Sequence, residues 1–240
     1  MDGANSGIPA SRGGSRGAAL QAFIAALLVT LLGACTSVGV HTSSQGAFDY
    51  GPPAQLQVCV LRTEGVSPER VETLIGAVNK EFAAYGIRVE VPWIRPWDRP
   101  GFSHERMLQD VVARELEPPC DRLVAFVDRG AADFLWGLAL PEVLGAVDDA
   151  THTRGFVVAN RASFNQLFMS PAEVTVHEFY HLLGCPHSMA LTKCYGQIAR
   201  LKRHVNAHAD EFFPGMDPRG ILLLSRLEVG DTLRRDYAAR

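Results

Sequence analysis

The sequence predicts a mixed α/β domain in which a mostly parallel sheet is covered by helices. Three observations point there. Short β-rich runs alternate with helical ones in the order β-α-β-α-β-β-β before the chain turns helical. One run, "RLVAFVD" at 122–128, is continuously apolar and short, as a central strand buried on both faces should be. Three of the helical runs carry start and stop signals at both ends.

The elements follow in order. "LQVCVLR" at 56–62 is β-rich and bounded by prolines, which predicts a strand. In "SPERVETLIGAVNKEFAAYG", Ser67 is the N-cap and Pro68 takes the first helical position. Val71, Leu74, Ile75, Val78 and Phe82 share one face, and Gly86 ends the helix. "IRVEVPWI" alternates Ile87, Val89 and Val91 against Arg88 and Glu90, the pattern of a half-buried strand. A second helix starts at Ser103 and carries Met107, Leu108, Val111, Val112 and Leu116 at helical spacing until "EPPC" stops it.

After the run at 122–128, "FLWGLALP" near 134–141 and "RGFVVAN" at 154–160 are two further extended pieces, bringing the expected strands to five. The next helix is expected at about 171–183. Ser170 and Glu173 form a capping box, Pro171 sits at the first helical position, and Gly184 falls where a C-cap is needed. The final "ILLLSRLEVGDTLRRDYAAR" is expected to pack as a C-terminal helix, making a small helical subdomain. No internal repeat or second domain appears.

The 240 residues carry a formal charge of −3, which gives no basic surface for nucleic acid. "MDGANSGIPASRGGSRG" supplies two arginines, and "AALQAFIAALLVTLL" then runs fifteen residues without a charge. A membrane span needs about 20 apolar residues, so this run reads as the h-region of a secretory signal. Its end, "LLGACTS", closes on a cysteine and resembles the lipobox of bacterial lipoproteins. That resemblance implies removal of residues 1–34 and lipidation at Cys35; residues 35–53, rich in Ser, Gly and Pro, read as a flexible tether, leaving a single domain over 54–240. An ordinary signal peptide cleaved near Ala34, or a membrane-anchored chain, are the alternatives.

Thr36, where an aspartate would favour the inner membrane, points to a lipid-anchored protein of the bacterial cell envelope, at the outer membrane and facing the periplasm or the cell surface. Without residues 1–34 the formal charge becomes −4, since Asp2, Arg12 and Arg16 leave. The remaining residues suffice for one domain with a real core.

Four cysteines lie beyond Cys35, and an even count in an exported chain favours disulfides over buried thiols. Three connectivities exist. Proximity in the chain favours Cys185 with Cys194, leaving Cys59 with Cys120.

The stretch "HEFYHLLGCPHS", 177–188, carries the chemistry. Residues four apart on a helix face the same way, so His177 and His181 can reach one metal ion. A third ligand cannot continue along the same helix, because the metal lies to one side. Gly184 can take the left-handed conformation that turns the chain back, and His187 follows. Three neutral imidazoles would leave an open position for water, which marks a catalytic zinc rather than a structural one. Glu178 is then the natural base for zinc-bound water, and it can pass the proton on to the leaving amine. The helix is apolar on most sides, and burying histidines beside a carboxylate there without a metal would be costly.

His177, Glu178, His181, Gly184 and His187 match the metzincin signature of zinc endopeptidases. With Ser188 after the third histidine, the stretch looks most like the matrix metalloproteinase branch. The resemblance implies a zincin-like fold whose five-stranded sheet has an antiparallel edge strand, and one catalytic Zn2+. "WGLALPEVLG" resembles the edge-strand region of that family, implying that an extended peptide pairs at about Leu135–Leu140, with Leu138 and Ala139 among its contacts.

Metzincins also place a methionine in a tight turn beneath the zinc. Met189 is too close to His187 for that, and Met216 in "FPGMDPRG" is the expected residue. The interval from His187 to Met216 is longer than in matrix metalloproteinases and no tyrosine follows Met216, which leaves the branch open. His204 and His208, also four apart, lack an acidic neighbour and a third ligand and read as surface histidines.

The reading is a monomeric zinc endopeptidase acting on peptide or protein substrates and attached to a membrane through Cys35. A non-catalytic envelope lipoprotein with a zinc staple, or an amidase acting on cell-wall peptides, are the rival readings. A staple needs no base, so Glu178 weighs against the first.

Overall fold

Prolines at 52 and 53 release the chain into β1, Ala54–Arg62, whose side chains alternate between two cores. Val58 and Val60 face one, and Cys59 and Leu61 face the other. In this computed structural model the described residues are 42–129, 143–160, 169–187, 191–208 and 212–239. All of them belong to one compact unit. Cys35, the leader, Leu138, Ala139, the strand expected at 134–141, and Ser188 and Met189 lie outside the described residues.

Helix α1, Pro68–Phe82, starts where expected, with the Ser67 side chain accepting from the Arg70 N–H. It buries Val71, Leu74, Ile75, Val78 and Phe82, then tightens into a 3-10 turn at Ala83–Tyr85. Gly86 ends it at φ 61°, a left-handed conformation that favours glycine.

The expected strand over 87–94 is instead two short ones, β2 at Ile87–Glu90 and β3 at Ile94–Pro96. Both run parallel to β1 on the same side of it. Pro92 lies in the break, having no N–H to give a ladder. The result is one interrupted strand; with a short strand at Gly145–Val147 that was not expected, the sheet counts six strands among the described residues.

Helix α2, His104–Ala113, has Ser103 as its N-cap and ends before Leu116, which was expected inside it. Strand β4, Arg122–Val127, is buried at every position and lies between β1 and β6, Arg154–Val158, parallel to both. A three-residue strand, β5 at Gly145–Val147, pairs antiparallel with β6. The antiparallel strand at the end of the described sheet is therefore this one. The sheet order is β2-β1-β4-β6-β5, with β3 also on β1.

Helices α3, Pro171–Leu182, and α4, Leu191–Ala207, follow, then the hairpin β7, Gly215–Met216, with β8, Leu222–Leu223. Helix α5, Arg226–Ala239, is shorter than expected because Ile221 to Leu224 precede it, outside the helix. One core lies between the sheet and α1, α3 and α4; the other lies between the sheet and α2 and α5. The architecture is thus a mixed α/β fold with a mostly parallel sheet and helices on both faces. Among the described residues no helix is long and apolar enough to cross a membrane.

Residues 48–53, expected within the tether, pack on the domain. Tyr50 is buried against Tyr85, and Phe48 packs on the first core. Lys202 of α4, wholly buried, donates to the carbonyls of Pro52 and Gly86. These contacts make residues 48–53 part of the domain.

The sulfurs of Cys59 and Cys120 are joined, as are those of Cys185 and Cys194. Arg122, at the start of β4, is fully buried, and burial pulls its guanidinium below its ordinary pKa. It donates to the carbonyls of Asp121, Leu182, Phe213 and Pro214, at 2.6–2.9 Å. One side chain thereby ties β4 to the end of α3 and to the segment entering β7. Arg122→Ala is expected to lower the unfolding free energy by about 3–5 kcal/mol, because four buried carbonyls lose their charged donor. Urea unfolding measures it.

Candidate metal centre

Helix α3 is fixed at its start by local chemistry. The Ser170 hydroxyl accepts from the Glu173 N–H at 3.2 Å, and the Glu173 carboxylate accepts from the Ser170 N–H at 2.6 Å. This reciprocal cap satisfies donors that a helix start otherwise leaves open. Further along, Tyr180 donates to Glu81 of α1 at 2.5 Å, and its hydroxyl also meets that of Tyr85 at 2.7 Å. The rotation of α3 about its axis is set by that buried contact with α1.

With the rotation set, His177 and His181 face the same way. Their Nε2 atoms are 3.0 Å apart. Two nitrogens on a tetrahedral zinc at roughly 2.0–2.1 Å each would stand about 3.3 Å apart. His187 joins them, and a ligand atom from each of the three rings lies within 4.8 Å of the others. His181 is buried, His177 half-buried and His187 exposed, so the cluster opens to solvent on the His187 side.

The donor chemistry suits a metal ion. His181 Nδ1 lies 2.6 Å from the Cys185 carbonyl oxygen, which can only accept, so Nδ1 carries the proton and Nε2 keeps its lone pair. Burial, followed by His177, lowers the His181 pKa to about 3, which keeps the ring neutral. Three imidazoles at this spacing could hold one metal ion, through nitrogen. Cys185 also forms the disulfide to Cys194 in α4, closing the loop that contains His187.

Gly184 makes the turn that brings His187 back. Its φ is +79°, and a β-carbon placed there would lie 2.6 Å from the Met216 sulfur. The turn therefore needs glycine twice, for its backbone and for the methionine side chain packed against it. Met216, expected in a tight turn, is instead the last residue of β7; the turn follows at Asp217, whose carboxylate accepts from the N–H groups of Arg219 and Ile221. Met216 is buried in the first core.

Glu178, on the turn between the two helical histidines, is buried, and burial raises its pKa to about 8. It packs against β5. A β-carbon on Gly145 would fall 2.5 Å from Glu178 Cγ and 2.6 Å from Oε1, so a glycine in the strand is what makes room for the carboxylate.

His204 and His208 stack on each other in α4, at 4.4 Å between ring centroids, and among the described residues neither belongs to a three-ligand group. Their surface reading fits His208, which is exposed. His204 is half-buried, and its Nε2 is buried without a hydrogen-bond partner.

Gly145, Arg122 and His152 were not singled out from sequence. His152 lies in the loop between β5 and β6, with Nδ1 2.7 Å from the Met216 carbonyl. Its only sequence signal is the cluster "DDATHTRG", which reads as a turn between two extended pieces. Gly184→Ala is expected to lower the unfolding free energy by at least about 1–2 kcal/mol, the cost of a β-carbon in the left-handed region. Displacing the turn from Met216 should also weaken uptake of a metal ion by the three histidines, which equilibrium dialysis measures.

No family model matches the chain, and no curated protein matches it. Among solved structures it is similar to a chain in a chaperone-substrate complex, with 10% identity, 55% of this chain and 23% of that one covered, and a TM-score of 0.41. It spans less than a quarter of that neighbour's length. It is also similar to archaemetzincin from Methanopyrus kandleri, with 14% identity, 77% of this chain and 96% of that one covered, and a TM-score of 0.35. Likenesses this distant leave the functional reading to the geometry of the centre.

Proposed function

We propose that the chain is a zinc-dependent endopeptidase of metzincin type. One observation carries the reading: three imidazoles converge within 4.8 Å at a solvent-open point, beside a buried carboxylate that no ion pair occupies among the described residues. His177, His181 and His187 would hold the ion. A zinc ion there supplies Lewis acidity that polarises a peptide carbonyl and acidifies water.

The chain's own residues do the rest. Glu178 takes a proton from the attacking water as the water oxygen bonds to the carbonyl carbon. It then gives that proton to the departing amide nitrogen as the carbon–nitrogen bond breaks. No covalent bond to the protein forms. Burial raises the pKa of Glu178 in the metal-free centre, and a cation held by the neighbouring histidines would draw it back toward the ionised form that accepts the proton.

By the resemblance in sequence, an extended peptide pairs through its main-chain groups at about Leu135–Leu140, with Leu138 and Ala139 among its contacts. A lipid anchor at Cys35 holds the monomeric domain at the outer membrane. Both disulfides suit an oxidising compartment such as the cell envelope.

Wild type and Glu178→Gln are expected to bind zinc equally and melt alike, while the variant cleaves denatured protein at least about 10²-fold more slowly. Zinc-loaded wild type that cleaves neither denatured protein nor cell-wall peptides overturns the reading. Gly145→Ala should separate the base from the metal. Zinc uptake stays unchanged and cleavage falls, because the new methyl displaces the Glu178 carboxylate.

A further inference from the structure

The loop between β5 and β6 is unusually well built for a surface connection. Asp148 is buried, and its carboxylate accepts from the N–H and hydroxyl of Thr151 and from the N–H groups of Thr153 and Arg154, all at 2.7–2.9 Å. Thr151 and Thr153 are wholly buried, and their hydroxyls meet at 2.7 Å. At the tip, His152 has φ 55°, the one positive value on a non-glycine among the described residues. A left-handed non-glycine residue that the surroundings over-determine is a common mark of a functional position.

The strained residue lies against β7. Its ring donates through Nδ1 to the Met216 carbonyl at 2.7 Å, and the Met216 N–H donates to the Thr151 carbonyl at 2.9 Å. Residues 151 and 152 therefore hold both polar backbone groups of Met216. The approach is close: a β-carbon on Gly215 would lie 2.8 Å from the Thr151 oxygen. Met216 in turn packs its sulfur on Gly184, between His181 and His187 in the chain.

We propose that His152 is a positioning residue of the metal centre: by gripping the Met216 backbone it seats the methionine under the Gly184 turn and so sets where His187 meets His177 and His181. The proposal rests on the zinc reading above, and it makes His152 neither a ligand nor a general base. Its ring acts through a chain of contacts, His152 to Met216 to Gly184.

The test compares His152→Gly and His152→Asn with wild type in the full chain. Glycine adopts the same backbone without strain but removes the grip. Asparagine tolerates the left-handed region, and its Nδ2 stands where the imidazole Nδ1 did, able to donate to the same carbonyl. Zn2+ affinity is read by competition with a chromogenic chelator, Co2+ absorption reports ligand geometry, and melting without metal reports the fold.

The expected result is that His152→Gly binds Zn2+ roughly tenfold more weakly, with an altered Co2+ spectrum and an unchanged metal-free melting temperature. His152→Asn should recover most of the affinity and the wild-type spectrum. A glycine variant with wild-type affinity, an asparagine variant as weak as the glycine one, or a glycine variant that melts well below wild type without metal would each overturn the positioning role. Wild type that takes up no Zn2+ would instead overturn the metal reading itself, and the proposal with it.

Discussion

The centre depends on a steric constraint at Gly184. Three ligands drawn from a segment as short as 177–187 cannot all lie on one helix and still surround a point beside it. The chain must reverse after one turn, and it does so at φ +79° with the Met216 sulfur occupying the space a β-carbon would need. The reversal is consequently a contact between distant parts of the chain as much as a local turn.

That dependence explains where the fold places its buried polar groups. Arg122 donates to Leu182 at the end of α3 and to Phe213 and Pro214 just before β7, so the two segments that meet at Gly184 share one guanidinium. Asp121, beside it, accepts from the N–H groups of Gln57 and Phe213. Asp148 builds the loop that holds Met216 from the other side. Burying such groups is costly unless their hydrogen bonds are met, and a fully satisfied network resists deformation. A site whose ligand spacing must hold to a fraction of an ångström needs that stiffness.

Around the rings the environment is graded. His181 is deepest, neutral through burial and oriented by the Cys185 carbonyl, while His187 is exposed and lies within the loop closed by the Cys185–Cys194 disulfide. Glu178 is buried on the β5 side. The ligand set is thus buried at His181 and open to solvent at His187.

Much of this was legible in the sequence because it is local. The cap of α3, the four-residue spacing of His177 and His181, Gly184 and the apolar faces of α1 and α2 are set by interactions within a few residues. Ile87 to Ile94 showed the limit, since alternation marked a strand but not the break that Pro92 imposes on pairing with β1. Gly145, His152, Arg122 and the place of Met216 in β7 were decided only by tertiary structure. Each draws its role from a partner far away in the chain: Glu178 for Gly145, Met216 for His152, Leu182 and Pro214 for Arg122. Periodicity and caps report which way a side chain points along its own element, and they carry no record of what another element brings to meet it.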